Sequence, residues 1–208
     1  MNKSRIESLS DGVFAIVMTL LIVEIKVPEL DHGVSNAEIW HSLFDLTPLF
    51  LSYLLSFAVI TTYWVSHNFL ITFMAKTIDR TLIYLNMLFL LAVGLIPFSA
   101  NLLGFYTENR LAVVWYGIHI FIIACILYLI RFYIISNPNI EVDELSPQNQ
   151  RYAKIRVWVP IIMSFFGVLI AFINPNLSLI FYIFPLVISL IPGSVAFLDG
   201  KIGKFLGR

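Results

Sequence analysis

The chain has 208 residues, of which 59% are hydrophobic and 12% charged, with 13 Lys and Arg balancing 13 Asp and Glu, whereas an ordinary soluble domain carries roughly a quarter charged residues. This composition argues against a solvated globular domain, and the lack of any Lys/Arg-rich patch argues against nucleic acid as a partner. The charges gather in short clusters between apolar runs long enough to cross a hydrocarbon core of roughly 30 Å, so the fold class expected is an all-α membrane protein.

Six runs qualify as spans: about 6–27, 44–70, 81–103, 111–135, 156–173 and 177–198. Their connections are short, so residues 1–208 are expected to form a single six-helix transmembrane unit lodged in lipid, with no room for a soluble domain. The N-terminal run resembles a signal peptide only superficially: Glu7 and Asp11 interrupt it, no small-residue cleavage site follows, and it is expected to be retained. Eleven basic residues flank the spans on the side of the termini (Lys3, Arg5, Lys76, Arg80, Arg131, Arg151, Lys154, Arg156, Lys201, Lys204 and Arg208), and only Lys26 and Arg110 lie on the other. By the positive-inside rule both termini are therefore cytoplasmic.

In the first span, residues 5–27 carry an uncharged core bounded by Asp11 and Glu24. Thirteen residues of helix cover about 20 Å, less than the hydrocarbon thickness, so at least one carboxylate sits at membrane depth. Such a helix needs protein or water around it. At 100° per residue, Leu9, Gly12, Ile16, Thr19, Leu20, Val23 and Val27 form one stripe, and Asp11 points roughly away from it. Spacing alone fits ordinary helix packing.

The second span places Thr61, Trp64, His67, Asn68 and Ile71 on one polar face. His67 and Asn68 lie near its inner end, at the depth of Asp11, so Trp64, His67 and Asn68 are expected to donate hydrogen bonds to that carboxylate. A structural clamp, a proton relay through Asp11 and His67, and a gating element all remain open for this cluster. The third span contains Asn86 and is expected to stop at Pro97-Phe98-Ser99. Residues 137–151, with Glu141, Asp143 and Glu144, read as a solvated loop, while Pro160, Pro185 and Pro192 are expected to kink the last two spans. Arg131 is expected to snorkel to the inner interface.

The remaining chemistry is sparse. Cys125 is the only cysteine, His32, His41 and His119 are scattered, and His67 has no second His four residues away, so neither a metal site nor a cofactor is expected. No nucleophile accompanies the intramembrane Asp and His, which argues against an enzyme. Asn176-Leu177-Ser178 matches a glycosylation acceptor by chance alone.

Arg5-x-x-x-Leu9-Ser10-Asp11-Gly12, followed by Val13-Phe14-Ala15-Ile16 and Thr19-Leu20-Leu21, resembles the signature of the transmembrane protein 175 family of potassium channels, in its prokaryotic branch. The family pattern has Phe where this chain has Leu9. Trp64-x-x-His67-Asn68, Asn86 and Leu95-Ile96-Pro97-Phe98 extend the match. The resemblance implies a potassium-permeable channel in the cytoplasmic membrane, a homotetramer with four-fold symmetry around the first helix. It further implies rings of apolar side chains at Ile16, Leu20 and Val23 with Thr19 as the polar ring, and a network of Arg5, Ser10, Asp11, Trp64 and His67, beside Asn68, that holds the pore helix. Potassium is then the permeant ion and no cofactor is involved. The alternative is a proton-coupled secondary transporter using Asp11 and His67, against which stands the lack of an inverted repeat or paired broken helices.

Overall fold

The computed structural model describes residues 3–30, 33–141 and 147–190. Residues 191–198 of the sixth expected span, and with them Pro192, lie outside the described residues, as do His32, Asp143, Glu144, Lys201, Lys204 and Arg208. The described residues form helices α1 (Lys3–Val23), α2 (Asn36–Asp45), α3 (Thr47–Asn68, continued by a π-helical turn Phe69–Met74), α4 (Arg80–Gly94), α5 (Ile96–Phe105), α6 (Arg110–Ser136), α7 (Pro147–Ala171) and α8 (Pro175–Leu190). Five helical stretches, namely Lys3–Val23, Thr47–Met74, Arg80–Phe105, Arg110–Ser136 and Gln150–Ala171, are long and apolar enough to cross a membrane, and Pro175–Ile188 is a shorter apolar helix.

Three local features depart from the sequence expectations. The third span does not stop at Pro97: the chain breaks at Leu95 and restarts at once as α5. Pro97 sits in the first turn of α5, where its missing N–H costs nothing because the first N–H groups of a helix have no intrahelical acceptor. The connection after the first span contains α2, nucleated by a capping box in which Ser35 Oγ accepts from Glu38 N and a Glu38 carboxylate oxygen accepts from Ser35 N. Helix α7 begins at Pro147, inside the segment expected to be a loop.

Side-chain hydroxyls and glycines hold the bundle together, as expected where lipid supplies no hydrophobic drive between helices. Tyr63 Oη donates to the Ile120 carbonyl at 2.6 Å, and Ser56 Oγ lies 3.1 Å from Tyr116 Oη, joining α3 to α6. Helix α5 approaches α3 at Gly104, where a Cβ would meet Ser52 Oγ at 2.6 Å and the Leu49 backbone at 3.0 Å. Tyr182 of α8 fills the seam between α6 and α7. A Cβ on Gly117 would lie 2.0 Å from its Oη, one on Gly167 would lie 2.3 Å from its ring, and the hydroxyl donates to the Val113 carbonyl. Pro160 and Pro185 lie inside α7 and α8, and Ser164 Oγ donates to the Pro160 carbonyl.

At the end of the bundle near the α3–α4 connection, Asp79 caps α4 by accepting from Leu82 N, and it also accepts from Tyr133 Oη and Asn137 Nδ2 of α6. Partial desolvation opposes the Asp79 charge, but these hydrogen bonds outweigh it, and its carboxyl lies below the ordinary aspartate value. Lys76 N donates to the Glu141 carbonyl beside it, joining the α3–α4 and α6–α7 connections.

Candidate functional site

Among the described residues, helix α1 packs chiefly against α3, α4 and α5. Ile6, Ser10, Phe14, Val17 and Leu21 form its buried face at spacings of four, four, three and four. On the other side Leu9, Gly12, Ile16, Thr19, Leu20, Val23 and Val27 are all exposed, with Ile16 at 59% and Val23 at 65%. The apolar window of α1 is the least buried of the five spanning stretches at 28%, against 33% for α7 and 44% for α3, for α4 with α5, and for α6. An apolar face this open on an otherwise anchored helix must be covered by lipid or by further protein. Thr19 is the one polar group in the middle of that face, and its hydroxyl donates to the Ile16 carbonyl at 2.8 Å, which leaves its oxygen able to accept.

The opposite face of α1 is fastened by polar contacts at three heights. Lys3 Nζ donates to the Thr72 carbonyl of the π turn at 2.9 Å. Thr72 lies in the last turn before the helix ends at Met74, where carbonyls have no intrahelical donor, which explains why an ammonium finds an acceptor there. At the next height His67 Nε2 lies 2.6 Å from Asn86 Oδ1, and Asn86 Nδ2 donates to Ser10 Oγ at 3.2 Å. His67, Asn86 and Ser10 are all buried. The imidazole stacks on Phe89 at 5.0 Å with a 3° interplanar angle, and Phe14 closes the cage at 5.9 Å from His67 and 6.0 Å from Phe89. At the far end of α1, Asn101 Nδ2 of α5 donates to the Glu24 carboxylate.

The expected donors to Asp11 separate. Trp64 Nε1 donates to Asp11 Oδ1 at 2.8 Å, at the exposed edge of the α1–α3 contact. His67 turns instead to Asn86, and no hydrogen bond joins it to Asp11. Asn68 is half-buried at the end of α3, immediately before the π turn, with no side-chain hydrogen bond among the described residues. Arg5 is exposed on the stripe side of α1 and forms no hydrogen bond or ion pair among the described residues. Sequence reasoning missed Asn86 as the hub of the buried network: it noticed an amide in the third span but assigned it no partner.

A second polar group stands at the break between α4 and α5. His119 Nε2 lies 2.9 Å from the Ala92 carbonyl, its Nδ1 lies 2.7 Å from Ser99 Oγ, and Trp115 Nε1 donates to the same hydroxyl. The carbonyl demands a donor, so Nε2 carries the proton and Nδ1 accepts from Ser99. This arrangement satisfies the Ala92 carbonyl where the helix breaks at Leu95.

The described residues form an all-helical bundle of apolar spans, with a hydrogen-bonded polar cluster inside and one helix face left open, which defines a multi-pass membrane protein. Residues 5–97 match the family model described as endosomal/lysosomal potassium channel TMEM175. A potassium channel of Chryseobacterium sp. (strain P1-3) is 31% identical over 208 residues, covering 99% of this chain and 98% of that one. A potassium channel of Streptomyces collinus is 41% identical over 110 residues, and there the aligned region spans about half of either chain, 52% of each. The crystal structure of a lysosomal potassium-selective channel TMEM175 homolog from Chamaesiphon minutus superposes with a TM-score of 0.75 at 30% identity, covering 91% of this chain and 98% of that one. The human endosomal/lysosomal proton channel TMEM175 is 36% identical over 104 residues, 20% of its length. The chain belongs to the TMEM175 family, an ion-channel family and not an enzyme class.

Proposed function

We propose that this protein is a potassium-permeable cation channel in which four copies surround an axis lined by α1, with Ile16, Thr19, Leu20 and Val23 facing the ions. The observation that carries this reading is the division of α1: one face clamped into the protomer through Ser10, Phe14 and Leu21, the other left open along the Ile16 to Val23 row. A single copy of one helix cannot enclose a path, so closed cyclic symmetry supplies the rest of the wall. Rings of Ile, Leu and Val gate by excluding water when narrow and conduct when slightly dilated. The Thr19 oxygen, its proton occupied by the Ile16 carbonyl, offers each passing cation one acceptor per subunit. Selectivity on this account is modest, because the remaining rings supply no oxygens.

The assembly sits in the cytoplasmic membrane with α8 as the sixth crossing and both termini inside, the orientation supported by the eleven-to-two distribution of basic residues. Trp64 with Asp11, and His67 with Asn86 and Ser10, act as struts that fix the azimuth of α1. No observation favours the transporter alternative, since His67 and Asp11 belong to separate hydrogen-bonded groups. Purified protein in liposomes should pass potassium down its gradient, and Ile16→Asn should change conductance or selectivity while the oligomer persists. Absence of potassium flux across a broad range of pH and voltage removes the proposal.

A further inference from the structure

Helix α2 has no buried residue, yet it is not polar all round. Ile39, Trp40, Leu43 and Phe44 share one side, exposed at 40%, 62%, 41% and 69%, with Trp40 and Phe44 paired at 6.1 Å. Glu38, His41, Ser42 and Asp45 occupy the other side, where His41 Nδ1 lies 3.2 Å from Asp45 Oδ2. The connection from α1 lies against that polar side: Glu29, Leu30 and Val34 line a shared hollow with Glu38, His41 and Ser42. The apolar side therefore stays uncovered by the described residues.

The position of α2 along the chain restricts what covers that side. Helix α3 begins at Thr47, with only Leu46 between it and the end of α2, and its 28-residue stretch Thr47–Met74 already exceeds the thickness of a hydrocarbon core. Helix α2 is thus held at the boundary where that span leaves the membrane. The join is firm: Thr47 Oγ1 donates to the Phe44 carbonyl at 2.6 Å, and Leu46 N donates to the Leu43 carbonyl. A short amphipathic helix with a Trp and a Phe on its apolar side, tethered at this depth, has the composition of an interfacial membrane helix.

We propose that α2 is a membrane-surface anchor, with Ile39, Trp40, Leu43 and Phe44 seated at the boundary between headgroups and acyl chains and the Glu38, His41 and Asp45 side in water. Its partner is the lipid surface itself. The polar side carries no Lys or Arg, so anchoring comes from apolar burial and not from attraction to anionic headgroups. This holds whichever ion the protein conducts.

The test uses the full chain with Cys125→Ala, reconstituted in nanodiscs of zwitterionic phosphatidylcholine, with single cysteines at 38 to 45 carrying a nitroxide label. Collision with oxygen, which concentrates in the bilayer, is compared with collision with an aqueous nickel chelate. The oxygen-to-nickel ratio should be several-fold higher at 39, 40, 43 and 44 than at 38, 41, 42 and 45, and unchanged when anionic lipid is added. Uniformly aqueous labels overturn the proposal. Labels at 40 and 44 shielded from both reagents also overturn it and assign the face to a neighbouring subunit. A ratio that rises only with anionic lipid overturns the apolar mode of anchoring.

Discussion

Asn86 Oδ1 stands 2.6 Å from His67 Nε2 while the amide nitrogen of the same side chain donates to Ser10, so one residue of α4 fixes both α3 and α1. The site is closed to water, and each partner left behind by a deletion has nowhere else to bond.

Replacing Asn86 with Ala should therefore destabilise the protein by about 1–3 kcal/mol, the cost of orphaning buried polar groups. Thermal unfolding in detergent measures it. The double variant Asn86→Ala with Ser10→Ala should lose less than the sum of the two single variants, because they share a bond.

The Trp64 to Asp11 bond lies at the exposed edge of the helix contact, so its loss should touch stability little. Trp64→Phe keeps the packing and removes the donor. The expected outcome is a shift of unfolding temperature near the noise, with altered ion flux in liposomes if α1 turns about its axis. An unfolding shift as large as that of Asn86→Ala would contradict the ranking of the two struts.

Gly117→Ala places a methyl group 2.0 Å from Tyr182 Oη. Overpacking of this kind costs about 1–3 kcal/mol. Expression and unfolding temperature should both fall, and Tyr182→Leu in the same chain should restore part of the loss by vacating the seam. Gly94→Ala, where an added Cβ meets nothing within 4 Å, is the matched control.

Asp79 contributes one pH dependence to stability. Its folded value is depressed, so its contribution is present in full above the unfolded value of about 3.9 and is lost as pH falls through the folded value. Asp79→Ala removes the cap on α4 and the link to Tyr133 and Asn137, at a cost of about 1 kcal/mol near neutral pH. The gap in unfolding temperature between the two proteins should narrow as pH drops below about 4.

Much of α1 was legible in the sequence because a helix has one periodicity. The stripe from Leu9 to Val27 is exposed, together with Asp11, Ala15 and Ile22, and Ile6, Ser10, Phe14, Val17 and Leu21 form the buried face. Matching Asp11 to His67 by depth succeeded in height and failed in azimuth: counting residues from span ends says how deep a side chain lies, not which neighbour it turns toward. Asn86 sits at the same depth on a third helix, and the imidazole chose it. Pro97 was legible as a break but not as a restart, since the composition on either side is equally apolar. Helix α2 escaped because its ten residues are too few for a span, and only Phe44 of its apolar side falls within the expected second one.

In the proposed channel the open face of α1 meets its own copies around the ion path. The decisive measurement is the radius along the symmetry axis of the oligomer, determined in nanodiscs. A minimum at Ile16 or Leu20, with Thr19 facing the same lumen, is expected. An oligomer in which Ile16 and Leu20 face lipid would contradict it.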